Sequence, residues 1–208
     1  MDSKCVKVST KSDPGDKSLK MSFEQIIKIP QDRIGVIIGK KGRVKEEIEQ
    51  KCNVIIEIDS ENGDVLVSSS SSPITKTEAF KAIEIISAIS KGFSPERACR
   101  LLAEDLLQLM DIRDYAGKST NSIQRIKGRI IGKAGKSRKT IEELTGAYIS
   151  VYGHTVGLIG SFEELKMATE AITMISKGSS HKSVYNMLQV ARRKAKFDKM
   201  KLWEENSQ

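Results

Sequence analysis

The tetrapeptide Gly39-Lys40-Lys41-Gly42 recurs 93 residues later as Gly132-Lys133-Ala134-Gly135. The same offset of 93 aligns Ile38 with Ile131, Ile48 with Ile141, Ile56 with Ile149 and Leu66 with Ile159. Further along, the offset falls to 86, so that Lys91-Gly92 matches Lys177-Gly178 and Leu102 matches Leu188. The difference of seven residues falls on the serine run Ser68–Ser72, which reads as a loop insertion in the first copy. Self-similarity at one period means one supersecondary plan used twice, and 208 residues suit two small domains.

Periodicity gives the order of elements within a copy. Phe23 to Pro30 alternates as a strand that Pro30 ends. Asp32 is placed to cap a short helix running into Gly39. Val44, Ile48 and Cys52 follow helical spacing after the loop, and Val54, Ile56 and Ile58 share one face of a strand. Asn62-Gly63 is a hairpin turn, and Val65 to Val67 is the returning strand. Thr75 and Glu78 form a capping-box pair, Ala79, Ala82, Ile83, Ile86 and Ile89 make an apolar helical face, and Gly92 stops that helix. Ser94-Pro95 starts a further helix with Ala98, Leu101, Leu102 and Leu109 on its inner face.

In the second copy, Ile141 and Leu144 face inward on a helix, and Ala147, Ile149 and Val151 alternate in a strand. Ser161 and Glu164 cap a helix whose apolar face is Leu165, Ala168, Ile172 and Ile175. A last helix runs from about Lys182 to Glu204. The predicted class is α+β: two tandem domains, each βααββα with an added C-terminal helix, an order that with the Gly-x-x-Gly loop resembles a type I KH domain. The expected segments are a disordered tail over 1–20, a first domain over 21–112 and a second over 113–208, with an extended final helix.

Composition narrows the function. The formal net charge is +8, which favours polyanionic partners. Hydrophobic residues are 38% and charged residues 30%, and no stretch approaches the roughly 20 apolar residues of a membrane helix. The N-terminal residues have no apolar core like that of a secretory signal. Cys5, Cys52 and Cys99 show no metal-ligand spacing and read as reduced thiols, and His154 and His181 have no Cys or His neighbours. No metal or cofactor is expected, and a cytoplasmic monomer is. Aromatics are only 5%, too few for a stacking platform. No phosphate-binding G-x-x-x-x-G-K-[ST] loop, H-E-x-x-H or G-x-S-x-G occurs, so nothing points to an enzyme.

The segments IIGKKG and IIGKAG, each followed by an amphipathic helix and a β-branched strand, resemble KH loops. GFSPERACRLL, EDLLQLMDIRDY, GRIIGKAGKSRKTIEELTGAYI, VGLIGSFEELKMA and KSVYNMLQVARR resemble the small-ribosomal-subunit assembly KH proteins of archaea and eukaryotes, the "partner of Nob" family. The likeness spans about Phe23 to Lys196. It implies binding to precursor small-subunit rRNA near its 3′ end, cooperation with the endonuclease that matures that end, and an initiation-factor alpha subunit as a further partner. Eukaryotic relatives have a degenerate first loop, whereas Gly39 and Gly42 are intact, so the resemblance is to an archaeal-type member.

Glycines let the backbone approach a ligand, and the helix that each loop opens offers free N–H groups to phosphate. KH loops clamp about four nucleotides in this way. Lys118 to Ile141 holds eight basic residues and no acid, a net +8. The matching span Gln25 to Ile48 holds six basic and three acidic residues, a net +3. The second loop is therefore the expected main RNA site, with Gly132, Lys133, Ala134, Gly135, Lys136, Arg138, Lys139, Arg129, Lys127 and Arg125, and with Ile131 and Ile149 lining an apolar base groove. Gly39, Lys40, Lys41, Gly42 and Arg43 form a secondary RNA or partner site. The C-terminal helix, with Arg192, Arg193, Lys194, Lys196, Lys199 and Lys201, either extends the RNA surface or is a solvated face, and Trp203 is free to dock on the body or on a partner. The rival readings are a KH subunit of an RNA-degrading complex and a protein scaffold whose first KH domain is a relic.

Overall fold

The computed structural model describes residues 23–69, 76–117 and 119–205. The chain divides after Leu102 into two compact units. The first runs β1 (Phe23–Lys28), α1 (Gln31–Ile38), a 3-10 turn at Lys40–Gly42, α2 (Arg43–Cys52), β2 (Ile55–Asp59), β3 (Asp64–Ser69) and α3 (Lys76–Ser90), then a short α4 (Pro95–Ala98) and a 3-10 turn at Cys99–Leu102. The second runs β4 (Leu106–Asp111), α5 (Arg113–Ala116), α6 (Thr120–Ile131), a 3-10 turn at Lys133–Gly135, α7 (Lys136–Thr145), β5 (Tyr148–Tyr152), β6 (Thr155–Gly160), α8 (Phe162–Ser176) and α9 (His181–Glu205). Both sheets are antiparallel with the last strand in the middle, β1-β3-β2 and β4-β6-β5. This is the βααββα arrangement expected of type I KH domains.

The alternating residues of the strands and the apolar stripes of the helices meet in one core per unit. In the first, Ile37, Ile48, Ile56, Val65, Val67, Ile86 and Ile89 are buried. In the second, Ile130, Ile141, Ile149, Leu158, Leu165, Ile172 and Ile175 are joined by Val184 and Leu188 of α9. Each such side chain contributes about 1.5–3 kcal/mol on burial. Ser161 forms the capping box with Glu164 at the start of α8. The corresponding Thr75, most of the serine run and the expected tail over 1–20 lie outside the described residues.

Three expectations change. The residue before α1 is Pro30, and Asp32 lies inside the first turn rather than at the cap. The helix expected from Ser94 to Leu109 ends at Ala98, and Leu106–Asp111 is strand β4, with Leu109 44% exposed. Leu and Met favour helix intrinsically, but the edge of β6 needs partners, and β4 supplies them from Leu106↔Gly160 to Asp111↔Thr155. The boundary therefore falls before β4, not at 112. The sequence repeat hid this strand because β4 starts 83 residues after β1, whereas the loops are 93 apart. The ten extra residues include α5 and the first turn of α6.

Candidate nucleic-acid interface

Both loops are built from the same dihedral angles. Gly39 has φ 71° and ψ 179°, and Gly132 has φ 72° and ψ 176°. This region is open essentially to glycine alone. A Cβ would also strike Val44 Cγ2 at 2.5 Å in the first loop and Ser137 Cβ at 2.6 Å in the second. Lys41 (φ 55°, ψ 31°) and Ala134 (φ 50°, ψ 31°) are left-handed, as are Gly42 and Gly135. The Gly42 and Gly135 N–H groups donate back to the Gly39 and Gly132 carbonyls at 3.4 and 3.2 Å, and those of Arg43 and Lys136 to the Lys40 and Lys133 carbonyls, which closes each loop into a tight turn. No side chain caps α2 or α7 at its start, so the positive end of each helix dipole lies uncompensated at its loop, where an anion is favoured.

The side chains around the two loops differ. On α2, Lys51 pairs with Glu47 at 2.5 Å and Lys45 with Glu49 at 3.8 Å. The Glu47 hydrogen bond holds the Lys51 ammonium above its usual range. On α7, Lys136 and Lys139 are exposed and lie three residues apart on one face, and neither forms an ion pair with another described residue. Lys133 and Ala134 are exposed at the loop tip. Arg138 is half-buried, and its Nε has no hydrogen-bond partner.

The remaining members of the expected site do not all converge. Arg125 is exposed on α6, but Lys127 lies about 200° further round that helix, on another side. The Arg129 guanidinium donates to the Ser179 carbonyl, and the Arg129 carbonyl accepts from His181 Nε2 at 2.8 Å. Ile131 is half-buried beside the loop. Ile149, expected in the groove, is 1% exposed and belongs to the core cluster, on a strand that packs against α7. Its backbone N–H donates to Glu142 Oε1 at 2.8 Å. The first domain repeats that bond between Ile56 N–H and Glu49 Oε1, also at 2.8 Å. Both glutamates obey the offset of 93, a signal in the sequence that the apolar pattern overshadowed. Ser137, at the contact with Gly132, is buried with an unpartnered Oγ. It stands where the first copy has Val44.

Two sheets of this order, each with a Gly-only loop between two helices, define a protein of two type I KH domains. Family models agree: a KH domain model matches residues 24–88, and the model of the second KH domain of PNO1, a eukaryotic-type (type I) KH domain, matches residues 106–193. A KH domain-containing protein of Methanocaldococcus jannaschii is 45% identical over 92% of this chain and 82% of its own. The RNA-binding protein pno1 of Dictyostelium discoideum is 27% identical over 88% of this chain and 86% of its own. The crystal structure of the a/eIF2alpha–aDim2p–rRNA complex of Pyrococcus horikoshii contains a chain with TM-score 0.78 and 42% identity, covering 83% of this chain and 96% of that one. The chain belongs to the PNO1 (Dim2) family of tandem KH proteins, as an archaeal-type member.

Proposed function

We propose that this chain binds single-stranded RNA without acting on it chemically, and that its main contact is the Gly132–Gly135 loop with Lys133, Lys136, Lys139 and Arg138. The observation that carries this reading is the group of exposed Lys133, Lys136 and Lys139, none in an ion pair with another described residue, at a glycine-bounded loop that opens an uncapped helix. The target is the 3′ region of precursor small-subunit rRNA, during assembly and 3′-end maturation. The family supports this: relatives are named for pre-rRNA processing, and a Dim2 relative was crystallised with rRNA. The endonuclease that matures the 3′ end and the initiation-factor alpha subunit are the proposed protein partners. Crosslinking the protein to RNA in cells and sequencing the bound fragments tests the target. Enrichment at the 3′ end of small-subunit rRNA supports it, and enrichment elsewhere overturns it. A nuclease assay on the purified protein tests the lack of catalysis, and RNA cleavage that survives loss of both loops would overturn it.

The first domain supports a second reading for itself, a protein contact. The register of its sheet places Glu24, Ile26 and Lys28 beside Ser68, Leu66 and Asp64, and these beside Ile55, Glu57 and Asp59. Ile26 is 68% exposed and Ile55 48%. A shallow depression there is lined by Ile26, Ile58 and Leu66 with Glu57, Asp59 and Asp64. The Asn62 amide and the backbone N–H groups of Glu61 and Asn62 hold the Asp59 carboxyl below its usual range, so it stays charged. Such a face repels RNA and suits a protein segment with basic and aliphatic side chains. Titration calorimetry of Ile26→Glu and Glu57→Lys with an archaeal initiation-factor alpha subunit tests it; binding unchanged in both variants would sink it for that partner.

A further inference from the structure

We propose that Arg129 and His181 are positioning residues that set the RNA loop of the second domain, and that neither touches RNA. The proposal rests on the reading that Gly132–Gly135 holds RNA. Arg129 lies in the last turn of α6, three residues before Gly132. Its side chain reaches 50 residues along the chain to the Ser179 carbonyl, in the turn between α8 and α9. His181, the first residue of α9, reaches back 52 residues to the Arg129 carbonyl. That carbonyl is among the last four of α6, which have no partner inside the helix, so the imidazole N–H satisfies a group that would otherwise need water. The two bonds run in opposite directions between the same pair of segments. They fix the last turn of α6 against the start of α9, and Gly132 follows directly. α9 also packs on α7, where Arg192 Nη1 donates to the Glu143 carbonyl at 3.4 Å. Both helices that flank the loop are thus braced by one element.

The first domain supports the assignment from an independent position. Arg33 donates through Nε to the Ile89 carbonyl at 2.9 Å and through Nη2 to the Phe93 carbonyl at 2.7 Å. Phe93 and Ser179 match by the offset of 86, but Arg33 and Arg129 do not match by the offset of 93. Arg33 lies six residues before its loop glycine and Arg129 three, one turn apart on the same helix face. Two unmatched arginines therefore tie the loop-bearing helix to a matched carbonyl. The return bond exists only in the second domain, because the position matching His181 is Pro95, which has no side-chain donor.

The test uses the full chain and a fluorescein-labelled single-stranded RNA with the small-subunit rRNA 3′-end sequence, with affinity read by anisotropy over a range of salt. Arg129→Ala and His181→Ala should each weaken binding about tenfold by loosening a preorganised loop, with the salt slope unchanged. Lys136→Ala, a phosphate contact, should lower the slope by about 0.7. His181→Gln, which keeps a donor, should restore affinity. Amide exchange at residues 132–135 should rise in both alanine variants without RNA, while the β5 and β6 amides stay protected and show that the domain is folded. A salt slope that falls in Arg129→Ala as it does in Lys136→Ala, or loop exchange that stays at the wild-type rate, overturns the proposal. If instead Lys133→Asp with Ala134→Asp leaves RNA binding intact, the RNA reading of the loop fails, and the exchange measurement still decides the clamp.

Discussion

The loops at Gly39–Gly42 and Gly132–Gly135 hold the same backbone angles to within about ten degrees, yet they sit in different electrostatic and mechanical settings. Around the first, Lys45 and Lys51 of α2 are matched to glutamates while Lys40, Lys41 and Arg43 are exposed, and Arg33 ties the incoming helix to the Ile89 and Phe93 carbonyls. Around the second, the lysines face solvent unpaired with any described residue, and arginine and histidine bind the incoming helix from both directions. Backbone shape is thus a property of the KH plan. What differs between the copies is the ion pairing of the lysines on α2 and α7 and the return bond from His181. Net binding to phosphate depends on cations not already neutralised by neighbours, so identical loops need not bind alike.

The largest expected difference comes from reversing charge at the loop tips. Lys133→Asp with Ala134→Asp should lower affinity for single-stranded RNA about 100-fold or more, whereas Lys40→Asp with Lys41→Asp should cost about tenfold or less. Asp tolerates the left-handed angles at 134 and 41 better than most residues, so folding should survive, and circular dichroism checks that. Equal losses from the two pairs would erase the proposed ranking. A subtler measurement is the salt dependence of binding. Lys139→Ala should reduce the slope by about 0.7, as one lost phosphate contact on a single strand does, while Lys45→Ala should leave it unchanged.

Where the domains share a bond, they should behave alike. Glu49→Ala and Glu142→Ala each leave a strand N–H without its carboxylate, at Ile56 and Ile149. Each should cost about 1–3 kcal/mol in urea unfolding, and a large disparity would show that the two frameworks are less equivalent than their geometry. The smallest effect concerns one buried position. Cys52 of the first copy stands where the second has Thr145, whose Oγ1 donates to the Ile141 carbonyl at 2.8 Å. Burial pushes the Cys52 thiol from 9.0 up to about 11. The folded state keeps a proton that the unfolded chain releases first, so this contribution is full below pH 9.0 and is lost as pH rises through about 11. Cys52→Thr, which installs the second-copy residue, should flatten the alkaline part of the urea-stability profile by less than about 2 kcal/mol.

The sequence by itself determined the plan. A repeated Gly-x-x-Gly, β-branched alternation and 3.6-residue apolar stripes are local patterns, and each directly states which face of its element is buried. They were enough to name the βααββα order, the glycines that must be glycine, and the excess of positive charge at the second loop. Tertiary structure decided what local pattern does not encode. Leu106–Asp111 has the residues of a helix and became a strand because the free edge of β6 required backbone partners. Ile149 belongs to the core because its inward strand position is closed over by α7 and the rest of the buried cluster. Arg129 looked like one more cation in a basic run, and His181 like an isolated histidine. Only the approach of the last turn of α6 to the start of α9, across 50 residues of chain, made them donors to carbonyls that helix ends leave unsatisfied.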